Sequence, residues 1–468
     1  MDSSLRAPGA ILLVACYELG HQPLAVAWPA AVLAQRGFRP SVMDVAVEPF
    51  DAEKAGRARL AVVAVPMHTA VRLGVAVARR IRTLNPGVHI CFAGLYASLN
   101  AEHLLARGGD SIVGGEGEAA LVALAEAIER GDAGPVPGVG RPGQPAEPNL
   151  VKLRLPVPDR TQLPSLKRYA HLEHLGRREV AGYVESSRGC LHHCRHCPIP
   201  PVYRGRFFVT PRETVLGDIR QQVEAGARHV TFGDPDFLNG PGHALAVARE
   251  LRAEFPAVTF DFTAKIEHLR RHAPLLPRFA DLGCLFIVSA AESLSDTVLA
   301  HLDKGHTGAD IAAALATARQ AGIALRLTWV PFTPWATLSD YVDFLDFVAR
   351  EDLVDHVEPV QYSLRLLVPP GSLLVASPAM RPHLGDLVPE DFAYTWRHPD
   401  PGMDDLQVAV ARIAGEGAER GEDAAVTFDR VHALAQAAAG RPATPERVAS
   451  RLAQDRPRPP RLTEPWFC

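Results

Sequence analysis

The segment Cys190-Leu191-His192-His193-Cys194-Arg195-His196-Cys197 holds three of the seven cysteines of the chain in a Cys-x3-Cys-x2-Cys arrangement. Three thiolates on one loop can bind three irons of a cubane iron–sulfur cluster and leave the fourth iron open to a ligand. A structural zinc site is the alternative, because Cys3His is an allowed ligand set and histidines lie between the cysteines. The spacing alone leaves both kinds of site open.

The surroundings of this loop favour the cluster. Short apolar strands alternate with helical patterns, and the predicted strands cover residues 180–186, 229–232, 258–264, 285–289, 323–330 and 356–363. About six such units predict a partial (β/α)6 barrel, in which the chemistry lies on the loops that follow the strands. A zinc module is usually small and self-contained, whereas this loop follows the first strand of a barrel.

The N-terminal part of the chain shows the same alternation. Its predicted strands cover residues 10–15, 40–47, 60–66, 88–93 and 110–113. Strands rich in Val and Ile that alternate with helices predict a parallel sheet. We therefore expect an α/β, Rossmann-like doubly wound domain with its ligand site at the carboxyl ends of the strands.

Proline marks the boundary between the two α/β regions, because residues 131–164 contain eight prolines. We predict a Rossmann-like domain over 1–130, a Pro-rich linker over 131–178 and a barrel over 179–375. A small, mostly helical C-terminal extension and tail would occupy 376–468.

Composition excludes several classes of protein. The 468 residues are 47% hydrophobic and 22% charged, with a formal net charge of −4. These values exclude global disorder and give no reason to expect a nucleic-acid partner. The apolar stretches are shorter than a membrane span, and the N-terminus does not look like a secretory signal. Seven cysteines are too few for a disulfide scaffold, and their number is odd. We therefore expect a cytoplasmic, reducing location.

With the loop and the barrel together, the chain resembles a radical S-adenosylmethionine (SAM) enzyme with an N-terminal cobalamin-binding-like domain. The resemblance covers roughly residues 10–130 and 179–375. It implies that Cys190, Cys194 and Cys197 hold a [4Fe-4S] cluster whose open iron binds SAM. Reductive cleavage of SAM would then give a 5′-deoxyadenosyl radical that attacks a small-molecule substrate. A flavodoxin or a ferredoxin is the kind of reductant implied.

The same resemblance implies SAM-binding roles at the ends of the strands. His196 would stack on adenine, Lys265 would pair with the SAM carboxylate, and Val330 would lie at the adenine side. The residues expected to bind the SAM ammonium and other polar atoms are Gly233, Asp234, Asp236, Ser289 and Glu292. Ordinary turn, rim-charge and helix-capping roles are the alternatives for most of these positions.

The segment Gly114-Gly115-Glu116-Gly117-Glu118 follows the fifth predicted strand and is similar to a segment of cobalamin-binding radical SAM proteins. Glycines before a helix allow close approach of a cofactor, although a tight strand-to-helix turn would also use them. The chain contains no Asp-x-His, the start of the motif that supplies a histidine ligand to cobalamin. Bound cobalamin would then lack that ligand, and loss of the cofactor is the other interpretation.

The chain ends at Cys468. The barrel segments Gly233-Asp234-Pro235-Asp236-Phe237-Leu238-Asn239-Gly240-Pro241 and Pro331-Phe332-Thr333-Pro334-Trp335 resemble a radical SAM subgroup that ends in Cys-Sec-Ala-Glu-Pro or Cys-Cys-Ala-Glu-Pro. That resemblance predicts a chain truncated at a selenocysteine codon. A natural terminus that happens to be cysteine is the alternative.

Three functions stay open at this point. The leading one is a radical SAM enzyme that acts on a small molecule of unknown identity. The second is a cobalamin-dependent radical SAM methyltransferase, and the third is a binding protein that holds zinc or an iron–sulfur cluster without catalysis.

Overall fold

The computed structural model describes residues 4–441, 456 and 458–464, and Cys468 lies outside them. The N-terminal region is a six-stranded sheet in the order β2-β1-β3-β4-β5-β6, parallel except for the last pair. Its strands are β1 (Ile11–Ala15), β2 (Ser41–Asp44), β3 (Leu60–Ala64), β4 (His89–Ala93), β5 (Ser111–Val113) and β6 (Val139–Gly140). Its helices are α1 (Leu24–Gln35), α2 (Ala52–Arg57), α3 (His68–Leu84), α4 (Leu95–Leu99), α5 (Ala101–Ala106) and α6 (Glu118–Arg130).

Both faces of this sheet are covered because its central strands are apolar along their whole length. Along β1, Leu12 and Val14 pack into one hydrophobic cluster, while Ile11 and Leu13 pack into another on the opposite face. Period-two alternation of side chains produces this division. The predicted doubly wound domain is confirmed.

The second α/β region is an open barrel. Five parallel strands follow the order β14-β13-β12-β11-β8, and the antiparallel strand β7 extends the sheet beyond β8. The strands are β7 (His171–His174), β8 (Arg177–Val184), β9 (Ser187–Gly189), β10 (Phe207–Val209), β11 (His229–Phe232), β12 (Thr259–Thr263), β13 (Cys284–Glu292) and β14 (Ala324–Trp329). The helices are α7 (Ile199–Tyr203), α8 (Arg212–Glu224), α9 (Pro241–Glu254), α10 (Ile266–Arg271), α11 (Leu276–Asp281), α12 (Asp296–Leu302), α13 (Gly308–Gln320) and α14 (Leu338–Arg350).

The partial barrel is confirmed as a fold class, but the strand predicted over 356–363 is wrong. Two short 3-10 turns, Val354–His356 and Pro359–Ser363, stand there instead. Pro359 begins the second of these turns, at a first-turn position where its missing N–H leaves no bond unmade. The sheet therefore stops at β14 and has an open side.

The C-terminal region packs against the open barrel. It contains the hairpin strands β15 (Leu384–Val388) and β16 (Ala393–Trp396) and the helices α15 (Pro401–Arg420) and α16 (Ala424–Ala438). Within the tail, β17 (Arg461–Leu462) pairs antiparallel with β7. In the part of the chain that the structure describes, no helix has the length and apolarity that crossing a membrane requires.

Candidate functional site

The cysteine loop begins directly after β9, at the carboxyl end of the first long barrel strand. Gly189 precedes it with a φ of +75°, a conformation that favours glycine. Cys190 and Cys194 are buried, Cys197 is partly buried, and all three are free thiols. Burial raises the pKa of Cys190, and it raises the pKa of Cys197 to about 12. Because a coordinated metal deprotonates a thiol outright, these thiols suit metal ligation better than solution chemistry.

The spacing of the sulfurs separates a cluster from a single ion. Among the described residues, one set of three potential ligands has donor atoms within 4.8 Å of one another, and it is His192, Asp236 and His268. The three thiols of the loop do not form such a set. Thiolates on one zinc ion, at Zn–S distances of ~2.3 Å, would lie roughly 4 Å apart. The loop therefore fits a cluster, which spreads its thiolates over three irons, better than zinc.

Asp236 is the centre of a buried network beside the loop. Nδ1 of His268 lies 2.8 Å and Nε2 of His192 lies 3.4 Å from Asp236 Oδ2. Burial would raise the pKa of Asp236, but the two histidines lower it. On the far side of His192, Nζ of Lys265 lies 3.2 Å from Nδ1. The ammonium of Lys265 opposes a cation at this set of ligands, so close contacts of Asp236 with the two histidines account for the arrangement.

Glu292 is the centre of a second network. It ends β13 with a φ of +66°, an uncommon conformation for a residue with a side chain. Its Oε1 lies 3.0 Å from Nε2 of His196 and 3.2 Å from Nζ of Lys304. Burial would raise the pKa of Glu292, but Lys304 and His196 lower it to about 2. His192 and His196, two of the three histidines of the loop, thus both lie against carboxylates.

Two other predicted SAM residues, Asp234 and Val330, make hydrogen bonds to the segments around these networks. Asp234 accepts hydrogen bonds from the hydroxyl groups of Ser186 and Ser187, at 2.8 and 2.5 Å. These contacts tie it to the chain that leads into the cysteine loop. The N–H of Val330 donates to the Glu292 carbonyl at 3.0 Å.

Gly233 faces the inside of the barrel, whereas Ser289 faces away from it. A Cβ at Gly233 would lie 2.1 Å from the Tyr183 ring, so close packing inside the barrel requires glycine there. Ser289 is completely buried and alternates along β13 with Val288, which lines the inside of the barrel. The structure therefore does not bring Ser289 to Asp236 and Glu292.

The glycine-rich turn of the N-terminal domain is needed by the chain itself. A Cβ at Gly114 would lie 1.6 Å from the Ser98 hydroxyl oxygen, and one at Gly115 would lie 2.3 Å from the Asn149 carbonyl oxygen. A Cβ at Gly117 would lie 2.6 Å from Val113. A tight strand-to-helix turn thus explains the glycines without a cofactor, and their predicted role toward cobalamin stays a prediction.

The acidic residues of the same turn connect the two α/β regions. Glu118 and Glu116 lie 2.7 and 3.5 Å from Nη1 of Arg188, and the Tyr203 hydroxyl group donates to Glu116 at 3.0 Å. Arg188 belongs to β9 and stands two residues before Cys190. One short strand therefore joins the glycine-rich turn to the cysteine loop.

A cavity of about 220 Å³ lies at this junction and is mainly apolar. The N-terminal domain contributes Glu18, Pro66, the ends of β4 and β5, and the first turns of α1 and α6. The barrel contributes Ser187, Arg188, Gly189 and Pro235. No histidine is among the described lining residues. A cofactor held at the edge of the N-terminal sheet would thus contact the strand that leads into Cys190.

Two carboxyl groups of this junction cavity have raised pKa values. Burial raises the pKa of Glu18 to about 8 and that of Glu185 to about 7. Glu185 lies 3.4 Å from Nε of Arg188, which also serves Glu116 and Glu118. The cavity therefore has more carboxylates than basic groups.

Several residues of the site were missed by sequence reasoning, notably His268, Lys304, Arg188 and Glu18. One signal existed for Lys304, because the chain has five lysines and two of them, Lys265 and Lys304, are buried in this site. The other three residues belong to common types, and no local pattern marks them.

Comparison with protein families assigns the two α/β regions. Residues 184–346 match the model of the radical SAM superfamily, and residues 10–125 match that of the B12 binding domain. The tRNA-2-methylthio-N(6)-dimethylallyladenosine synthase of Desulfosudis oleivorans is 28% identical over 41% of this chain and 42% of its own. The hopanoid C-3 methylase of Methylococcus capsulatus is 25% identical over 52% of this chain and 48% of its own. The chain thus spans about half the length, or less, of these relatives.

Solved structures share the fold. The cobalamin-dependent SAM radical enzyme OxsB, with aqua-cobalamin bound, has a TM-score of 0.69 at 15% identity and covers 85% of this chain and 66% of its own. The radical SAM methyltransferase TsrM from Kitasatospora setae, with tryptophan and a SAM analogue bound, has a TM-score of 0.59 at 20% identity. It covers 73% of this chain and 71% of its own. At these identities the likeness establishes the architecture alone.

Proposed function

This chain carries a radical SAM domain joined to a B12-binding domain, and from that premise we propose that it is a cobalamin-dependent radical SAM methyltransferase acting on a small molecule. The two domains imply a [4Fe-4S] cluster, SAM and cobalamin as cofactors. When bound, the cluster supplies one electron to SAM, and cobalamin supplies a carrier for a methyl group. The chain itself binds, orients and shields these groups.

The observation that carries this proposal is the position of the junction cavity. Its walls include both the edge of the B12-binding domain and Ser187, Arg188 and Gly189 of β9. A cofactor at this edge is therefore next to the cluster loop, as transfer of a methyl group from SAM through a carrier requires. The curated relatives named for methylation and methylthiolation support the same chemistry.

The residues of the barrel site suit a zwitterionic ligand such as SAM. We assign its ammonium to the ionised Asp236 and its carboxylate to Lys265 or Lys304. His196, which contacts Glu292 next to Cys197, is our candidate for stacking on adenine. Val330, whose N–H binds the Glu292 carbonyl, fits the adenine side. Gly233 and Asp234 then shape the loop, rather than contact SAM.

The electron donor and the setting follow from the chemistry. A one-electron reduction of the cluster needs a low-potential donor, and we propose a flavodoxin or a ferredoxin. Such donors place the protein in the cytoplasm, which also keeps the loop thiols reduced.

Product analysis distinguishes methyl transfer from other radical chemistry. Reconstituted protein would be incubated with SAM, reductant, cobalamin and a cell extract that contains the substrate. Methyl transfer with radical activation consumes SAM in two ways, so S-adenosylhomocysteine and 5′-deoxyadenosine should both form. Omission of cobalamin should remove S-adenosylhomocysteine. Formation of 5′-deoxyadenosine alone would contradict the methyltransferase and favour hydrogen abstraction with another outcome, which is the second candidate.

The bound cobalamin has its own spectroscopic test. Because no histidine lines the junction cavity in the described residues, retained cobalamin should show an absorption spectrum without histidine coordination. A histidine-ligated spectrum, or failure of the reconstituted protein to retain cobalamin, would contradict this part of the proposal. The resemblance to the subgroup with a Cys-Sec or Cys-Cys tail stays a prediction, decided by the codon after Cys468.

A further inference from the structure

The tail is docked beside the barrel. Arg461 and Leu462 pair with Glu173 and Leu172 of β7, and the Thr463 N–H donates to the His171 carbonyl at 2.9 Å. Ion pairs reinforce this docking: Arg461–Glu173 at 2.8 Å, Arg458–Asp423 at 2.9 Å and Arg456–Asp355 at 2.6 Å. Exposed ion pairs are individually weak, so the docking rests on many small contributions rather than on one.

This segment fills the open side of the barrel. The sheet order places β17 at one end, beyond β7, and β14 at the other end. Leu462 and Glu464 nevertheless line a cavity of about 20 Å³ together with Val288 of β13 and Arg326 of β14. The tail therefore bridges the gap between the two ends of the sheet and reaches the inside of the barrel.

Arg326 is an incompletely satisfied cation in this cavity. It is 9% exposed, and its Nη2 donates to Glu358 at 2.9 Å. Its Nη1 has no hydrogen-bond partner among the described residues. A buried donor without a partner is costly, and a guanidinium is shaped to bind a carboxylate with two nitrogens. The inside of the barrel thus presents a free donor that is suited to a carboxylate.

Glu464 brings a carboxylate of the tail into the cavity that Arg326 lines. This carboxylate, however, contacts a histidine of the N-terminal domain. Its Oε1 lies 2.7 Å from Nε2 of the buried His21. Glu464 also lines two larger cavities, each of about 970 Å³, one toward the N-terminal domain and one toward α15 and α16. Glu464 thus stands where both larger cavities meet the inside of the barrel.

We propose that residues 461–464 form a displaceable stopper in the side entrance of the barrel, and that Arg326, whose Nη1 Glu464 leaves without a partner, binds a substrate carboxylate when the stopper withdraws. The ligand class is a small molecule that carries a carboxylate. This inference rests on the proposed function only in taking the inside of the barrel as the place where the substrate reacts. Withdrawal of the tail would open one continuous passage from the larger cavities to Arg326.

Equilibrium binding of glutarate to the reconstituted full-length protein tests the proposal, with uncharged glutaramide as the matched probe. Glu464→Gln should bind glutarate roughly tenfold more tightly than the parent, because it weakens the contact with His21 that holds the stopper and removes a negative charge from the cavity that Arg326 lines. Adding Arg326→Gln to that variant should abolish the gain. Arg326→Lys, which keeps the charge and loses the planar fork, should retain only part of it.

Controls separate this result from nonspecific effects. Glu147→Gln removes an exposed carboxylate elsewhere and should bind glutarate like the parent. Unchanged glutarate binding in Glu464→Gln, or equal binding of glutaramide, would overturn the proposal. Formation of 5′-deoxyadenosine by each variant is measured in parallel. A parent that does not cleave SAM would count against the proposed function and would leave the glutarate comparison interpretable.

Discussion

The barrel site and the junction cavity use the same residue types in opposite electrostatic settings. In the barrel site, burial would raise the pKa of Asp236 and Glu292, but histidine and lysine neighbours lower both pKa values. In the junction cavity, burial raises the pKa of Glu18 and Glu185, and the guanidinium of Arg188 does not offset it. The barrel site offsets the burial of Asp236 and Glu292 within the chain, and the junction cavity does not offset the burial of Glu18 and Glu185.

The difference indicates which of the two regions can still accept a partner for its buried carboxylates. Paired, ionised carboxylates fix the loops of the barrel site in place before any ligand arrives. The carboxylates of the junction cavity can be satisfied by protons or by a ligand that donates hydrogen bonds. The comparison therefore predicts opposite responses to the removal of charge in the two regions.

The largest expected effect concerns the cluster, on which the barrel site depends. Replacement of Cys190, Cys194 or Cys197 by Ala should remove essentially all of the visible charge-transfer absorption of the reconstituted protein. Cleavage of SAM should fall to background in each variant. Iron and sulfide analysis with the absorption spectrum provides the measurement.

Cys284→Ala is the matched control. Cys284 is buried in β13 and 4% exposed, so this variant should keep the cluster while losing some packing. A loop variant that retained its full iron content would show that the three thiols are not the ligands.

The barrel and the doubly wound domain were predictable because alternating apolar and helical patterns are local. The exception is residues 356–363, where apolar and aromatic residues suggested a strand and Pro359 instead begins a 3-10 turn. The tail strand β17 is two residues long and has no periodic signal. Its position depends on docking to β7, which the tail sequence alone does not encode.

The candidate site was predictable only where its residues are close in sequence. The three thiols lie within eight residues, so their spacing carries the chemistry. The partners His196 and Glu292 are 96 residues apart, and strand order and loop conformation together decide that they meet. Ser289 was also not predictable from its neighbours in sequence. The pleat of β13 directs its side chain away from the inside of the barrel.

The next effect in size breaks the charge balance of the barrel site. Lys304→Met leaves Glu292 buried with one cationic partner fewer. Breaking a buried ion pair in this way typically costs about 3–5 kcal/mol of unfolding free energy. Urea unfolding of the variant and the parent measures the difference at neutral pH.

Two further variants sharpen this result. Addition of Glu292→Gln to Lys304→Met should recover much of the stability, because the uncompensated charge is removed. Lys167→Met changes an exposed lysine and should alter stability by less than about 0.5 kcal/mol. Equal losses for Lys304→Met and Lys167→Met would mean that the ion pair contributes little.

The last effect is gradual and has the opposite sign, and it is expected in the junction cavity. The pKa of Glu18 is about 8 in the folded protein and near its ordinary value of 4.5 in the unfolded chain. Between these values the folded state binds one proton more, so the stability that this proton provides is complete below pH 4.5 and is lost as pH rises toward 8. Glu18→Gln removes the titration.

Relative to the parent, Glu18→Gln should therefore gain stability as pH rises, by at most about 1.4 kcal/mol per pH unit between 4.5 and 8. Its amide oxygen can still accept the Leu24 N–H that Glu18 accepts at 3.1 Å. Glu185 and Asp44, the acidic groups that act on Glu18, titrate in both proteins, so the difference between the two stability curves isolates Glu18. Glu53→Gln, on an exposed helix, should leave the parent curve unchanged.

If Glu18→Gln instead followed the parent at every pH, Glu18 would be ionised in the folded protein. The junction cavity would then contain a counter-charge equivalent to those of the barrel site, and the contrast between the two regions would not hold.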